Sequence, residues 1–116
     1  MRALDAAKEA AQVASDKKAT KIVLQDLQGQ SDVCHYQLIC SGKSDVQTKA
    51  ICYGIETELK NKFGVRPITI EGKQTGHWIL LDYGVTIVHI FLESIRDFYA
   101  LDKLWPKAKS INFDDI

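Results

Sequence analysis

The spacing of apolar positions changes several times along the chain, and each change marks a candidate element. From Ala3 to Asp16, Leu4, Ala7, Ala11 and Ala14 recur at intervals of three and four, with Ala6, Ala10 and Val13 beside them. That is the period of a helix, and its narrow, small-residue stripe predicts modest core contact. Lys21 to Leu27 and Tyr36 to Cys40 shift to β-branched and apolar residues and stop at Gln28-Gly29 and Ser41-Gly42, which predicts two strands. Ser44 and Gln47 have capping-box spacing, the Ser oxygen accepting an N–H that the first helical turn leaves free. A long helix is therefore expected from Asp45. Val46, Ala50, Ile51, Ile55, Leu59 and Phe63 form its apolar face, Glu56 with Lys60 and Glu58 with Lys62 pair outside, and Gly64 takes the position past its end.

Pro67 to Glu71, Trp78 to Tyr83 and Thr86 to Phe91 read as three further strands, the last two separated only by Gly84 and Val85. Two intervening residues predict a hairpin in which Tyr83 faces Thr86. Counting outward pairs Asp82 with Ile87, Leu80 with His89 and Trp78 with Phe91 on one face, while Ile79, Leu81, Val88 and Ile90 take the other. Both faces are largely apolar, so each needs a cover, which the helices supply in an α/β layered domain. Ile95, Phe98, Leu101 and Leu104 recur at threes within Glu93 to Trp105, consistent with a last helix or two short turns before Pro106. One domain over residues 1–105, with a mixed sheet of about five strands flanked by helices, and a polar tail over 106–116 are the expectation.

Composition narrows the function classes. Fifteen basic and fifteen acidic side chains cancel in a chain of 116 residues, so no global positive field favours nucleic acid, and any RNA contact is expected to be secondary. No apolar run approaches the ~20 residues of a membrane span, and the N-terminal stretch lacks a signal-peptide layout. A soluble cytoplasmic protein is expected. Cys34, Cys40 and Cys52 are odd in number and form no Cys-x-x-Cys pair, which fits small buried thiols better than a metal site.

Candidate catalytic chemistry fares poorly. Ser41-Gly42-Lys43-Ser44 lies between a strand and a helix as a phosphate-binding loop would, but the position five before Gly42 is Gln37, where that loop needs its first glycine. A turn and helix cap is the simpler reading. His35, His77 and His89 stand near no nucleophile motif, and His89 has a structural role open to it, a hydrogen bond to Asp82 diagonally across the hairpin. No strand carries the paired carboxylates of two-metal phosphoryl transfer. No catalytic, cofactor-binding or metal residues are assigned. What remains is a concentration of aromatic residues, Trp78, Tyr83, Phe98, Tyr99 and Trp105, around Arg96, the residue types that anchor protein interfaces.

Read as an ordered string, Glu71-Gly72, Trp78-Ile79-Leu80-Leu81-Asp82-Tyr83-Gly84, Val88-His89-Ile90-Phe91, Arg96, Phe98-Tyr99, Leu101 and Leu104-Trp105 closely resembles the ribosomal silencing factor (Iojap-like) family. Upstream, Asp26-Leu27-Gln28-Gly29, Leu38 to Gly42 and Ala50-Ile51 fall where that family has its first two strands and central helix, so the resemblance spans about Ala19 to Trp105. It implies a mixed-sheet domain similar to nucleotidyltransferases in fold but lacking their catalytic carboxylates. It also implies binding to the large ribosomal subunit through ribosomal protein fourteen, steric exclusion of the small subunit, and repression of translation under nutrient limitation. Trp78, Asp82, Tyr83, Glu93, Arg96, Asp97 and Tyr99 are the expected partner-binding residues, carboxylates rimming an aromatic centre against a basic partner. Departures at Val85, at Cys34-His35-Tyr36 and at Cys52-Tyr53 leave contacts there unassumed. A nucleotide-handling enzyme on the same fold is the alternative, and an aromatic patch also suits a two-fold contact, so a homodimer of the free protein is considered alongside.

Overall fold

The computed structural model describes residues 3–29, 34–95 and 109–110. Chain order runs α1 (Ala3–Asp16), β1 (Thr20–Asp26), β2 (Tyr36–Gly42), α2 (Asp45–Phe63), β3 (Thr69–Glu71), β4 (Trp78–Asp82), β5 (Thr86–Leu92) and β6 (Lys109–Ser110). The strands form one mixed sheet in the order β3-β4-β5-β2-β1-β6. Neighbours are antiparallel except β2 and β5, which run parallel from Tyr36↔Thr86 to Gly42↔Leu92. The expected α/β architecture is thus present, and its five main strands are joined at the β1 edge by a two-residue strand from the segment read as a tail. Residues 93–95 are helical. The remainder of the last helix, expected up to Trp105, lies outside the described residues.

The hairpin register is the one that a two-residue connection dictates: Asp82↔Ile87, Leu80↔His89 and Trp78↔Phe91. Alternation along β4 and β5 turns Ile79, Leu81, Val88 and Ile90 toward α1 and α2, where they join Leu24, Leu38 and Cys40 in the core. β2 is buried along its whole length, as befits a strand with a neighbour on each side and cover above.

Helix α2 begins and ends where its caps place it. The Ser44 side chain accepts from the Gln47 N–H, and Gly64 closes the helix in the left-handed conformation at φ 69°. Gln47 does more than the capping spacing predicts. Its Oε1 accepts from the Lys43 N–H at 2.7 Å, and its Nε2 donates to the Lys17 and Lys18 carbonyls. The Ser41 to Ser44 turn is thereby fastened to the end of α1, a structural use of the residues that resembled a phosphate loop.

Several expectations about α2 and α1 need correction. Val46 is 74% exposed and Ala50 is also exposed, whereas Thr48, Cys52 and Gly54 are buried beside Ile51, Ile55 and Leu59. At the N-terminal end the buried stripe turns toward Gly76, whose carbonyl accepts from the Thr48 hydroxyl at 2.6 Å. Glu56 pairs with Lys73 at 3.1 Å and Lys62 with Glu9 at 3.0 Å, in place of the expected pairs within the helix. Cross-element partners bring a carboxylate and an ammonium together without the fixed i,i+4 geometry. Contact by α1 is extensive, not modest: Ala7, Ala10, Ala11 and Ala14 are fully buried, because side chains this small let the helix axis approach both α2 and the sheet.

Candidate protein-interaction face

The sheet face turned away from α1 and α2 carries Trp78, Leu80 and Asp82 from β4 and Ile87, His89 and Phe91 from β5. Phe91 and His89 are buried, at 1% and 6% exposure. Trp78, Leu80, Asp82 and Ile87 are only half-buried. An apolar row that is half-accessible beside a buried aromatic floor has the layout of an interface centre.

Trp78 is held from two sides. Its ring stacks on Phe91 with centroids 5.0 Å apart and an interplanar angle of 27°, and its Nε1–H donates to His89 Nδ1 at 3.1 Å. Both contacts follow from register, since Trp78 faces Phe91 directly and His89 diagonally. The indole is therefore presented in one orientation, which reduces the entropy it would lose on meeting a partner. The expected Asp82–His89 hydrogen bond is not made. Asp82 Oδ1 instead accepts from the Gly84 N–H at 2.7 Å, bracing the hairpin turn. The nearer backbone donor takes this carboxylate oxygen, and His89 uses its Nδ1 to accept from the Trp78 indole.

Of the other expected contact residues, Tyr83 continues the alternation of Ile79 and Leu81 and so packs against the helix-side core. It lies across the sheet from Trp78, and its hydroxyl is buried without a hydrogen-bond partner. Burial, with the Glu56 carboxylate as a lesser cause, raises the pKa of that phenol. Glu93 lies just beyond β5, its Oε2 accepting from the Thr20 hydroxyl at 3.1 Å. Arg96, Asp97 and Tyr99 lie outside the described residues. Leu80 and Ile87 were missed as candidates, although the period-two alternation that set the register already placed them beside Trp78 and Asp82.

Burial perturbs two groups with catalytic potential. Burial pushes the Cys52 thiol up to about 12, helped by Glu56, whose carboxylate lies 3.5 Å from Sγ; at neutral pH it stays protonated and is a poor nucleophile. Cys34 and Cys40 are also buried, and neither forms a disulfide. Burial lowers the His89 pKa from 6.5 to about 4, leaving it neutral at pH 7. Among the described residues no cluster of His, Cys, Asp and Glu is arranged to hold a metal, and no helix is long and apolar enough to cross a membrane.

The His89 shift has a measurable consequence. Between about pH 6.5 and 4 the unfolded chain binds a proton at this residue that the folded chain refuses, so stability is complete above that window and declines as the pH falls through it. The loss reaches at most about 3 kcal/mol. Thermal unfolding from pH 7 to 4 should show this decline. His89→Gln, which retains an acceptor for Trp78, should flatten it; an unchanged pH profile in that variant would assign the decline to other groups.

Fold and face together define a mixed-sheet α/β domain that offers a shaped apolar surface. A model of the family described as ribosomal silencing factor during starvation matches residues 1–116, and the chain belongs to this family of ribosome-associated regulators of translation. It is similar to the Bacillus subtilis ribosomal silencing factor, with 37% identity over 107 residues covering 92% of this chain and 90% of that one. The Haemophilus influenzae factor is 41% identical over 88 residues, covering 76% and 85% of the two chains. Among solved structures, a Chromobacterium violaceum protein matches with a TM-score of 0.87 at 29% identity, covering 94% of this chain and 90% of that one.

Proposed function

We propose that this protein represses translation in the cytoplasm when nutrients are scarce, by binding the large ribosomal subunit, chiefly ribosomal protein fourteen, and sterically excluding the small subunit. Family membership supports the ribosomal setting. A mouse relative, 38% identical over 48 residues, is named for mitochondrial assembly of the ribosomal large subunit, which favours that subunit as the target. The observation that carries the reading is the half-buried Trp78, Leu80 and Ile87 row bordered by Asp82.

No chemistry is required of such a repressor. A patch of about 800 Å² is a standard interface and lies within reach of a domain this size. Ribosomal proteins are typically basic, so the carboxylates of Asp82, Glu93 and Asp97 serve as acidic contacts accompanying Trp78, with Arg96 and Tyr99 as further contacts and Tyr83 as support packed on the other side of the sheet. Contact with rRNA is secondary in a chain of zero formal net charge. Cosedimentation with purified large subunits through sucrose tests the proposal. Micromolar protein should pellet with large subunits and lower the yield of joined ribosomes when small subunits are added. Protein left in the supernatant, or joining that is undiminished, defeats it.

A further inference from the structure

We propose that four exposed lysines, Lys17, Lys18, Lys21 and Lys43, form a contact surface for the phosphate backbone of rRNA, engaged when the protein sits on the large subunit. This surface presupposes the ribosomal reading and adds a second contact to it. One side-chain amide gathers three of the four: Gln47 donates to the Lys17 and Lys18 carbonyls and accepts from the Lys43 N–H at 2.7 Å. Lys21 and Lys43 then border one hollow at the end of the sheet, beside Leu92.

Backbone conformation indicates that these side chains are kept for their charge. Lys18 and Lys21 are the two non-glycine residues with positive φ among the described residues, at 68° and 50°. Helix α1 ends in a Schellman motif, in which the Ala19 N–H donates to the Ala14 carbonyl and the Lys18 N–H to that of Ser15. Lys18 thus fills the position that Gly64 fills in α2. Lys21 lies in the irregularity of β1 between Thr20 and Val23, and such bulges re-aim a side chain. Glycine would hold either conformation with less strain. Two local rules broken within a few residues mark a place where the side chains serve something other than the fold.

The cluster adjoins the face around Trp78. Thr20 pairs with Ser41 and Gly42 with Leu92, so the lysines lie at the end of the sheet where Phe91 stacks on Trp78. A ribosomal protein seated on Trp78 therefore brings the rRNA around it within reach of the lysines. Asp16, Asp45 and Glu93 lie at the same end. Asp16 accepts from Gln12 and Glu93 from the Thr20 hydroxyl, and among the described residues Lys17, Lys18 and Lys43 form no salt bridge. Their charges stay available to phosphates, and a local cluster binds these without a net positive chain.

Cosedimentation with large subunits from about 50 to 200 mM KCl at fixed Mg²⁺ tests the assignment. Neutralising a lysine that contacts a phosphate should lower the slope of log affinity against log salt by roughly 0.7–0.9. A lysine that meets a protein carboxylate releases no condensed counterions, and its loss should leave the slope nearly unchanged. Lys17→Gln, Lys18→Gln, Lys21→Gln and Lys43→Gln combined should reduce affinity about tenfold at the low-salt end and flatten the slope. Lys60→Gln, at the far end of α2, should change neither. Lys18→Gly should show a melting temperature equal to or above that of the unmodified protein, together with weaker binding and a shallower slope. The proposal is overturned, with the ribosomal reading intact, if the unmodified protein pellets and the fourfold variant matches it in affinity and slope. Unaltered binding by Lys18→Gly, or an effect of Lys60→Gln as large as that of Lys43→Gln, overturns it as well. If the unmodified protein itself stays in the supernatant, both readings fall.

Discussion

Trp78→Ala is expected to weaken association with large ribosomal subunits by at least about thirtyfold, equivalent to ~2 kcal/mol. The indole combines three properties of an interface anchor: it is large, half-accessible, and locked by Phe91 and His89 before any partner arrives. Truncation removes the contact surface and also leaves His89 Nδ1 without its donor, so some loss of stability accompanies the loss of binding. Two companions separate these effects. Trp78→Phe keeps an aromatic ring over Phe91 and should retain part of the affinity. Ile87→Glu leaves Trp78 and its hydrogen bond intact but places a charge on the same face, and should impair binding with little change in melting temperature. Normal cosedimentation of a folded Trp78→Ala protein would mean that Trp78 is scaffold and that the contact lies elsewhere.

The largest effect on stability is expected from Gly72→Ala. Gly72 has φ 77°, and a Cβ there would stand 1.8 Å from the Trp78 carbonyl oxygen and 2.9 Å from its carbon. Neither atom can rotate away, because both belong to the backbone that opens β4. The left-handed conformation alone costs a non-glycine residue roughly 1–2 kcal/mol. Displacing the start of β4 adds to this, for a total of about 3 kcal/mol or more and a melting temperature lower by on the order of 10 °C. Gly64 supplies the control, since its φ is 69° and an added Cβ meets nothing within 4 Å. Gly64→Ala should therefore cost only about 1 kcal/mol. Equal losses at the two sites would show that conformation, and not the close approach to Trp78, governs Gly72. Because the same carbonyl belongs to the proposed anchor, any Gly72→Ala protein that folds should also bind large subunits less well.

Much of this molecule was legible before its structure. Ser44 and Gln47 announced the start of α2, Gly64 its end, and the two-residue Gly84-Val85 connection set every pairing of the β4–β5 hairpin. The ordered string from Glu71 to Trp105 pointed to the family that the whole chain matches. These features share a physical basis: each involves residues a few positions apart, so covalent geometry and the helical or strand period determine which side chains meet. Alternation even held more than was taken from it, since it already placed Leu80 and Ile87 beside Trp78, and Tyr83 with Leu81 on the opposite face.

Tertiary structure decided whatever required a choice among distant partners. Nothing in the local pattern joins β2 to β5, whose strands lie some fifty residues apart and run parallel. Glu56 had Lys60 within reach along its own helix yet pairs with Lys73, and Asp82 braces its own turn while Trp78 takes His89. The exposure of Val46, the deep burial of the α1 alanines and the unpaired hydroxyls of Tyr83 and Thr86 likewise depend on how α1 lies against α2 and the sheet. Local sequence determined the elements, their ends and the hairpin register, because those follow from short-range geometry. Which polar groups find partners, and which side chains are left half-open on a surface, was decided only when the elements packed, because distant groups compete for the same limited set of neighbours.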